Sequence, residues 1–343
     1  MSNIGDLQSL ASSISAVTSP FRNYLNDLHK KYKSLNDGTV ANYIPELALA
    51  KPEWFGICAA TTDGQVFEVG DCDKLFTIQS ISKAFVFGLA LEDHGREYVN
   101  SKVSVEPTGE AFNSIVLDEA TNRPYNPMVN AGAIATADLI KGKNGTERLK
   151  RLLEMFKRYT GRDHDINVPV FLSEKATGYR NRAMAYLMLN FGMISDKIDE
   201  TLDLYFQQCS ILVNAKDLAM LAATLANGGV NPITGERAID ERYVQDVISV
   251  MLTCGMYDAS GEWCYRVGMP AKSGVGGGIT AVVPGKLGIG TFSPPLDAKG
   301  NSTRGIIVCQ DISRDFGLHL FNAAKSERNL QEWIAGGSGI NDW

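Results

Sequence analysis

The chain has no run of about eighteen consecutive apolar residues, so a simple membrane-spanning helix is excluded. It has no basic run and no basic-aromatic interleaving. With a formal net charge of −6, a nucleic-acid partner is not expected. Lys30, Lys31 and Lys33 are the densest basic cluster, and they fall on a short amphipathic segment as a solvated face. The six cysteines include no C-x-x-C pair, and none stands at zinc-finger spacing from the four histidines. The first twenty residues lack a basic n-region and a continuous apolar h-region, so no export signal is read. A reducing, cytoplasmic location without disulfides is expected. No internal repeat or low-complexity segment occurs.

What is present is ordinary globular composition, 44% hydrophobic and 21% charged over 343 residues, enough for one large domain or two small ones. Residues 1–18 read as a short helix or a tail. Ser19-Pro20 is an N-cap and N1 pair. Phe21, Tyr24, Leu25, Leu28, Tyr32 and Leu35 then repeat at helical spacing up to Asn36-Asp37-Gly38. Trp54–Thr61 and Gln65–Val69 read as a hairpin about Thr62-Asp63-Gly64. Residues 96–225 are mostly helical in pattern, including "TERLKRLLEMFKRYTG" and "AKDLAMLAATLANGG". After residue 265, "GITAVVPGKLGIGTFSPPLD" and "RGIIVCQDIS" read as strands. Cys58 and Cys309 lie in strand-like runs as small core residues. The last 25 or so residues read as a helix and a flexible terminus. The order strands, helices, strands predicts an α+β fold: one antiparallel sheet completed by both chain ends, flanked by helices, with a helical subdomain inserted.

"FTIQSISKAFVFGLALEDHG", residues 76–95, reads as a helix that ends at His94-Gly95 and is apolar after Lys83. Residues three apart share a helix face, so Ser80 and Lys83 are neighbours, while Ser82 lies off that register. A lysine among apolar residues is disfavoured in its charged form, and a neutral amine can take a hydroxyl proton. The pair thus has the form of a serine nucleophile with a lysine base. Roughly one S-x-x-K is expected by chance in such a chain, with Ser80 as a cap and Lys83 reaching solvent. Two stretches add weight. "MPAKSGVGGGI" places Lys272-Ser273-Gly274 where S-x-x-K enzymes carry K-T-G, and its glycines offer close-approaching N–H groups. "NPMVNAGAI" is a Pro-bounded loop opening a helix with Asn130 at its mouth; taken alone, Asn130 reads as an N-cap.

The ordered set "YIPELA", "QSISK", "NPMVNAGAI", "SEKATGYRN", "YFQQCSI", "LANGG", "CGMYDASGEW" and "AKSGVGGGI" resembles the serine-dependent glutaminase family, of compact bacterial type. The resemblance runs from about residue 25 to about 312. It implies a β-lactamase-like fold, shared with penicillin-binding proteins, and hydrolysis of L-glutamine to L-glutamate and ammonia through a γ-glutamyl ester on Ser80, with Lys83 as base. By motif match it implies Tyr257 as a proton relay, and the backbone N–H groups of Ser80 and Val275 as the oxyanion hole. Glu174 matches the ligand of the substrate's ammonium, Asn130 and Asn181 the donors to its carboxylate, and Tyr43 and Tyr205 the pocket wall. Taken singly, Glu174 would be a surface carboxylate, Asn181 a helix cap and the tyrosines core aromatics. The S-D-N element of β-lactamases is absent. The domains expected are an extension at 1–24, a catalytic domain at 25–312 with its helical part at roughly 96–225, and a C-terminal helix and tail at 313–343. No metal or organic cofactor is implied, and a homodimer or homotetramer is. The alternatives are a penicillin-recognising hydrolase of the same fold and a non-catalytic amino-acid binder.

Overall fold

The computed structural model describes residues 19–110, 113–323 and 328–336. The readings for residues 1–18 and for the extreme C-terminus lie outside these. No helix among the described residues is long and apolar enough to cross a membrane.

A five-stranded antiparallel sheet in the order β2-β1-β7-β6-β5 organises the molecule. It comprises β1 (Gly56–Thr61), β2 (Val66–Gly70), β5 (Ala271–Gly274), β6 (Gly278–Val283) and β7 (Leu287–Phe292). Strand β1 pairs with β7 from Gly56↔Phe292 to Thr61↔Leu287, so the two ends of the chain meet at mid-sheet as expected. Two further strands, β3 (Phe76–Thr77) and β4 (Leu212–Val213), form a separate small ladder.

One sheet face receives α1 (Pro20–Tyr32), α12 (Thr303–Asp315) and α13 (Leu330–Ile334), whose Phe21, Leu25, Val308, Ile312 and Leu330 share a core with Ile57, Phe67, Ile279 and Ile289. Ser19 caps α1 by accepting from the Phe21 N–H at 3.2 Å, with Pro20 at N1. The helix ends at Tyr32 rather than continuing to Leu35. There the backbone turns, and the Leu35 carbonyl accepts from Arg304 Nε at 2.8 Å. Helices α1 and α12 run continuously across residues 24 and 312.

The opposite face receives α9 (Ala215–Ala226), an alanine-rich helix lying directly on β7. The approach is so close that a Cβ on Gly290 would sit 2.2 Å from the Ala215 carbonyl oxygen. Glycine there is required by the backbone-to-backbone packing. Helix α9 starts with a capping box: Asn214 Oδ1 accepts from the Asp217 N–H, and Asp217 Oδ2 accepts from the Asn214 N–H. Such a cap stabilises by about 1 kcal/mol. Beyond α9 lie α2 (Ser82–His94), α3 (Arg96–Lys102), α4 (Asn130–Asp138), α5 (Gly145–Thr160), α6 (Val168–Thr177), α7 (Tyr179–Asn190), α8 (Ile198–Cys209) and α10 (Glu241–Cys254).

Two sequence readings are corrected. "RGIIVCQDIS" is not a strand but most of α12. Ser302 Oγ accepts from the Gly305 N–H, and Arg304, Val308 and Ile312, four residues apart, are buried on one face. A short β-branched run carries no period that separates strand from buried helix, and here the cap and the spacing prevail. Cys309 is therefore helical. Second, residues 76–95 are not one helix. Phe76 and Thr77 pair with Val213 and Leu212, Gln79 adopts φ +51°, Gln79–Ile81 form a 3₁₀ turn, and α2 begins only at Ser82. A left-handed glutamine cannot continue a right-handed helix.

Candidate active site

Ser80 sits in the 3₁₀ turn that feeds α2, almost fully buried at the wall of a cavity of about 280 Å³. Lys83 is in the first turn of α2 and wholly buried. Its Nζ lies 2.6 Å from Asn130 Oδ1 and 3.3 Å from the Met128 carbonyl oxygen. Burial pushes the Lys83 ammonium down to about 8, against the opposing fields of Cys209 and Glu174. Ser82 turns away: its Oγ donates to the Gln79 carbonyl at 2.7 Å and accepts from Gln208 Nε2.

Asn130 is the first residue of α4 but does not cap it. Val129 occupies the cap position without a side-chain bond, and the Asn130 amide spans inward from Lys83 to Asn181, whose Oδ1 accepts from Asn130 Nδ2 at 3.1 Å. The loop before it is shaped by Asn126, whose Oδ1 accepts from the Met128 and Val129 N–H groups. That turn aims the Met128 carbonyl at Lys83. The Asn126-Pro127 pair is a recognisable turn signal in the sequence.

Tyr257 is buried at φ +56° in a 3₁₀ turn, held by Ser260, whose Oγ donates to the Tyr257 carbonyl and accepts from the Met256 N–H. Burial raises the phenol's pKa, while the Ser80 hydroxyl and the Val275 N–H work against it, which places all three together. Val275 follows β5 in the turn to β6. The close fit of that hairpin against the Ser80 turn needs glycine: a Cβ on Gly274 would meet the Ile78 carbonyl oxygen at 2.8 Å.

Glu174 on α6 accepts a 2.7 Å hydrogen bond from the Tyr43 hydroxyl. Burial raises its carboxyl pKa, opposed by Tyr43 and Lys83. Tyr43 is half exposed as a residue, at 54%, with its hydroxyl turned onto Glu174 at the cavity wall. Tyr205 on α8 is buried, and with Cys209 one turn later it forms the inner wall. The cavity is thus lined by Tyr43, Ser80, Asn130, Glu174, Asn181, Tyr205 and Val275, while Lys83 and Tyr257 are buried.

The sequence reading assigned no role to several residues at or beside the cavity. Gln79, Arg180 and Cys209 also line the cavity. Lys272 is wholly buried, with Nζ 4.3 Å from the Tyr257 ring centroid and bonds to the Gly255 and Ser273 carbonyls. Burial, then the nearby Lys83, hold its ammonium well below the usual lysine range. Its K-S-G context was the available signal. Gln79 and Arg180 stand inside quoted motifs but carry no chemical signature of their own.

This antiparallel sheet, with helices on both faces and an inserted helical region, defines a β-lactamase-like protein. Its backbone matches a probable glutaminase, ybaS, with a TM-score of 0.86 at 42% identity, covering 89% of this chain and 99% of that one. It matches a probable glutaminase of Bacillus subtilis with a TM-score of 0.81 at 36% identity, covering 87% and 97%. The glutaminase family profile matches residues 38–321. A glutaminase of Microcystis aeruginosa is 81% identical over 93% of this chain and 94% of its own length, and one of Trichormus variabilis is 64% identical over 93% and 95%. The chain belongs to the glutaminase family. It is an amidohydrolase that converts L-glutamine to L-glutamate and ammonia.

Proposed function

We propose that this hydrolysis runs through a γ-glutamyl ester on Ser80. The observation that carries the reading is the wholly buried Lys83, one turn from Ser80, with Nζ at 2.6 Å from Asn130 Oδ1 and 3.3 Å from the Met128 carbonyl. A neutral amine has two N–H bonds and one lone pair. Two oxygens for the two N–H bonds leave the lone pair for the Ser80 proton. With a pKa of about 8, roughly one-tenth of Lys83 is neutral at pH 7.

Ser80 Oγ attacks the γ-carboxamide carbon as its proton passes to Lys83. The backbone N–H groups of Ser80 and Val275 stabilise the oxyanion. The C–N bond breaks as the proton is delivered to the leaving nitrogen through Tyr257, and ammonia departs. A water then adds to the ester carbonyl, giving its proton to the Lys83–Tyr257 pair. Ser80 leaves reprotonated, and L-glutamate is released. Glu174 holds the substrate ammonium, Asn130 and Asn181 donate to its carboxylate, and Tyr43 and Tyr205 enclose it. A structural neighbour at 43% identity, Mglu, is described in a glutamate form, which fits a site of this polarity.

The test is covalent trapping with a glutamine-like electrophile, followed by peptide mass spectrometry. An adduct on Ser80 is expected; one on Cys209 or another residue overturns the assignment. A chromogenic cephalosporin should not be opened, which separates this reading from a penicillin-recognising hydrolase. We further propose a cytoplasmic enzyme working as a homodimer or homotetramer. The exposed Val168, Leu172, Tyr179 and Tyr186 on α6 and α7 are suited to such pairing, and light scattering would measure it.

A further inference from the structure

The cavity wall carries two charged side chains of opposite sign, Glu174 and Arg180. Glu174 answers an ammonium. The neutral amides set against a carboxylate are partly spent. Asn130 Oδ1 is taken by Lys83 Nζ, one Asn130 N–H goes to Asn181 Oδ1, and what remains is one N–H of Asn130 and the two of Asn181. Neutral donors alone leave the carboxylate's charge unanswered as substrate displaces water from the cavity.

Arg180 lies in the first turn of α7, one residue before Asn181. Among the described residues its guanidinium makes one hydrogen bond, to the Asn113 carbonyl, long at 3.4 Å. Gly178 at the start of α7 provides no side-chain cap, and Gly178, Arg180 and Asn181 all border the cavity. The positive end of a twelve-residue helix, a guanidinium and a primary amide therefore border the cavity together, next to Glu174 one turn earlier in the chain, as suits an ammonium and a carboxylate carried on the same carbon. A guanidinium fork suits a carboxylate in particular, because two parallel N–H bonds meet its two oxygens.

We infer that Arg180 reads the free α-carboxylate of the substrate. It restricts the enzyme to unblocked α-amino acids and rejects glutamine whose carboxylate is amidated or extended as a peptide. This rests on the proposed orientation with the ammonium at Glu174, and it makes Arg180 a specificity residue rather than a participant in proton transfer.

The test compares L-glutamate with L-isoglutamine, which keeps the γ-carboxylate and the ammonium but replaces the α-carboxylate by a neutral amide. Both are titrated calorimetrically into the full chain carrying Ser80→Ala, with and without Arg180→Gln or Arg180→Lys. L-Glutamate should bind about 10- to 100-fold tighter than L-isoglutamine when Arg180 is present, as expected for a charge-assisted bond. Arg180→Gln should collapse that ratio toward one, and Arg180→Lys should keep part of it. In the Ser80-containing enzyme, Arg180→Gln should raise KM for L-glutamine by a similar factor. The inference is overturned if Arg180→Gln leaves L-glutamate affinity within twofold, or if it weakens both ligands equally. Failure of the Ser80 ester mechanism would show instead as turnover surviving Ser80→Ala, with the binding ratio still governed by Arg180.

Discussion

The amide oxygen of Asn130 lies 2.6 Å from Lys83 Nζ, so a residue at the mouth of one helix fixes the amine buried in the first turn of another. A neutral acceptor in that position orients the amine without adding a negative charge that would keep it protonated. Asn130→Asp would add that charge. The Lys83 pKa should then rise by about one to three units from about 8. The rising limb of kcat/KM against pH should move up with it, and activity at pH 7 should fall at least about tenfold. A limb that stays near pH 8 in Asn130→Asp would remove Lys83 as its source.

Lys83 also links stability to pH. Its folded pKa of about 8 is below the ordinary lysine value of 10.5, so the unfolded chain binds the proton more tightly. Burying the protonated amine therefore costs stability below pH 8, and the cost is relieved as pH rises from about 8 toward 10.5. Denaturant titrations should show wild type gaining on Lys83→Met across that window. A constant gap between the two proteins from pH 7 to 10 would contradict the burial argument. Lys83→Met itself should be nearly inactive.

The two serines of the Ser80–Lys83 turn should separate cleanly. Ser80→Ala should lose turnover while keeping its thermal midpoint, since its hydroxyl faces the cavity. Ser82→Ala should keep turnover and lose about 1 kcal/mol of stability, because its Oγ bonds the Gln79 carbonyl in the core. Calorimetry and an ammonia assay on both variants would check this. Loss of turnover in a folded Ser82→Ala protein would redirect the mechanism.

The Tyr43 hydroxyl holds the Glu174 carboxyl below the value that burial alone would set. Protonation of Glu174 removes the charge proposed to hold the substrate ammonium, so on that reading KM should climb as pH falls through a pKa above the usual carboxylate range. Tyr43→Phe should move that climb to higher pH, and Glu174→Gln should raise KM at every pH. An unchanged KM profile in Tyr43→Phe would show that the hydrogen bond does not tune the site.

Gly290 and Gly261 make a paired test of the packing. Gly290→Ala drives a methyl group into α9, 2.2 Å from the Ala215 carbonyl, and should cost about 1–3 kcal/mol or more. Gly261→Ala, in α11 (Ser260–Arg266), meets nothing within 4 Å and should be neutral or stabilising by up to about 1 kcal/mol. Chemical denaturation of both variants decides it.

Much of the architecture was legible because local chemistry and tertiary demand agree. Ser19-Pro20 starts α1, Gly161 ends α5 in the left-handed region, and the runs around Gly288 and Gly290 pair as strands. Where they disagree, the reading failed. "RGIIVCQDIS" looks like a strand by composition, but burial of Arg304, Val308 and Ile312 on one face makes it helical. Arg304 itself, which ties the Leu35 and Pro52 carbonyls to α12, was invisible because its partners lie some 250 residues away in sequence. The candidate site was readable only as ordered motifs. The bonds that join Lys83 to Asn130, Asn130 to Asn181, and Tyr43 to Glu174 cross from one motif to another.

The sequence by itself determined the family, the α+β order of elements, and the residue types available for a serine–lysine reaction, because these rest on short motifs and local periodicity. Only the tertiary structure decided that Ser80 precedes α2 in a 3₁₀ turn, that Asn130 serves Lys83 rather than capping α4, and that Arg180 shares the cavity with Glu174. Those outcomes follow from strand pairing at Phe76–Thr77, from burial around Lys83, and from the meeting of α6 and α7. The first two are contacts between distant segments that no local pattern encodes, and the third is set by the bend at Gly178 between two consecutive helices.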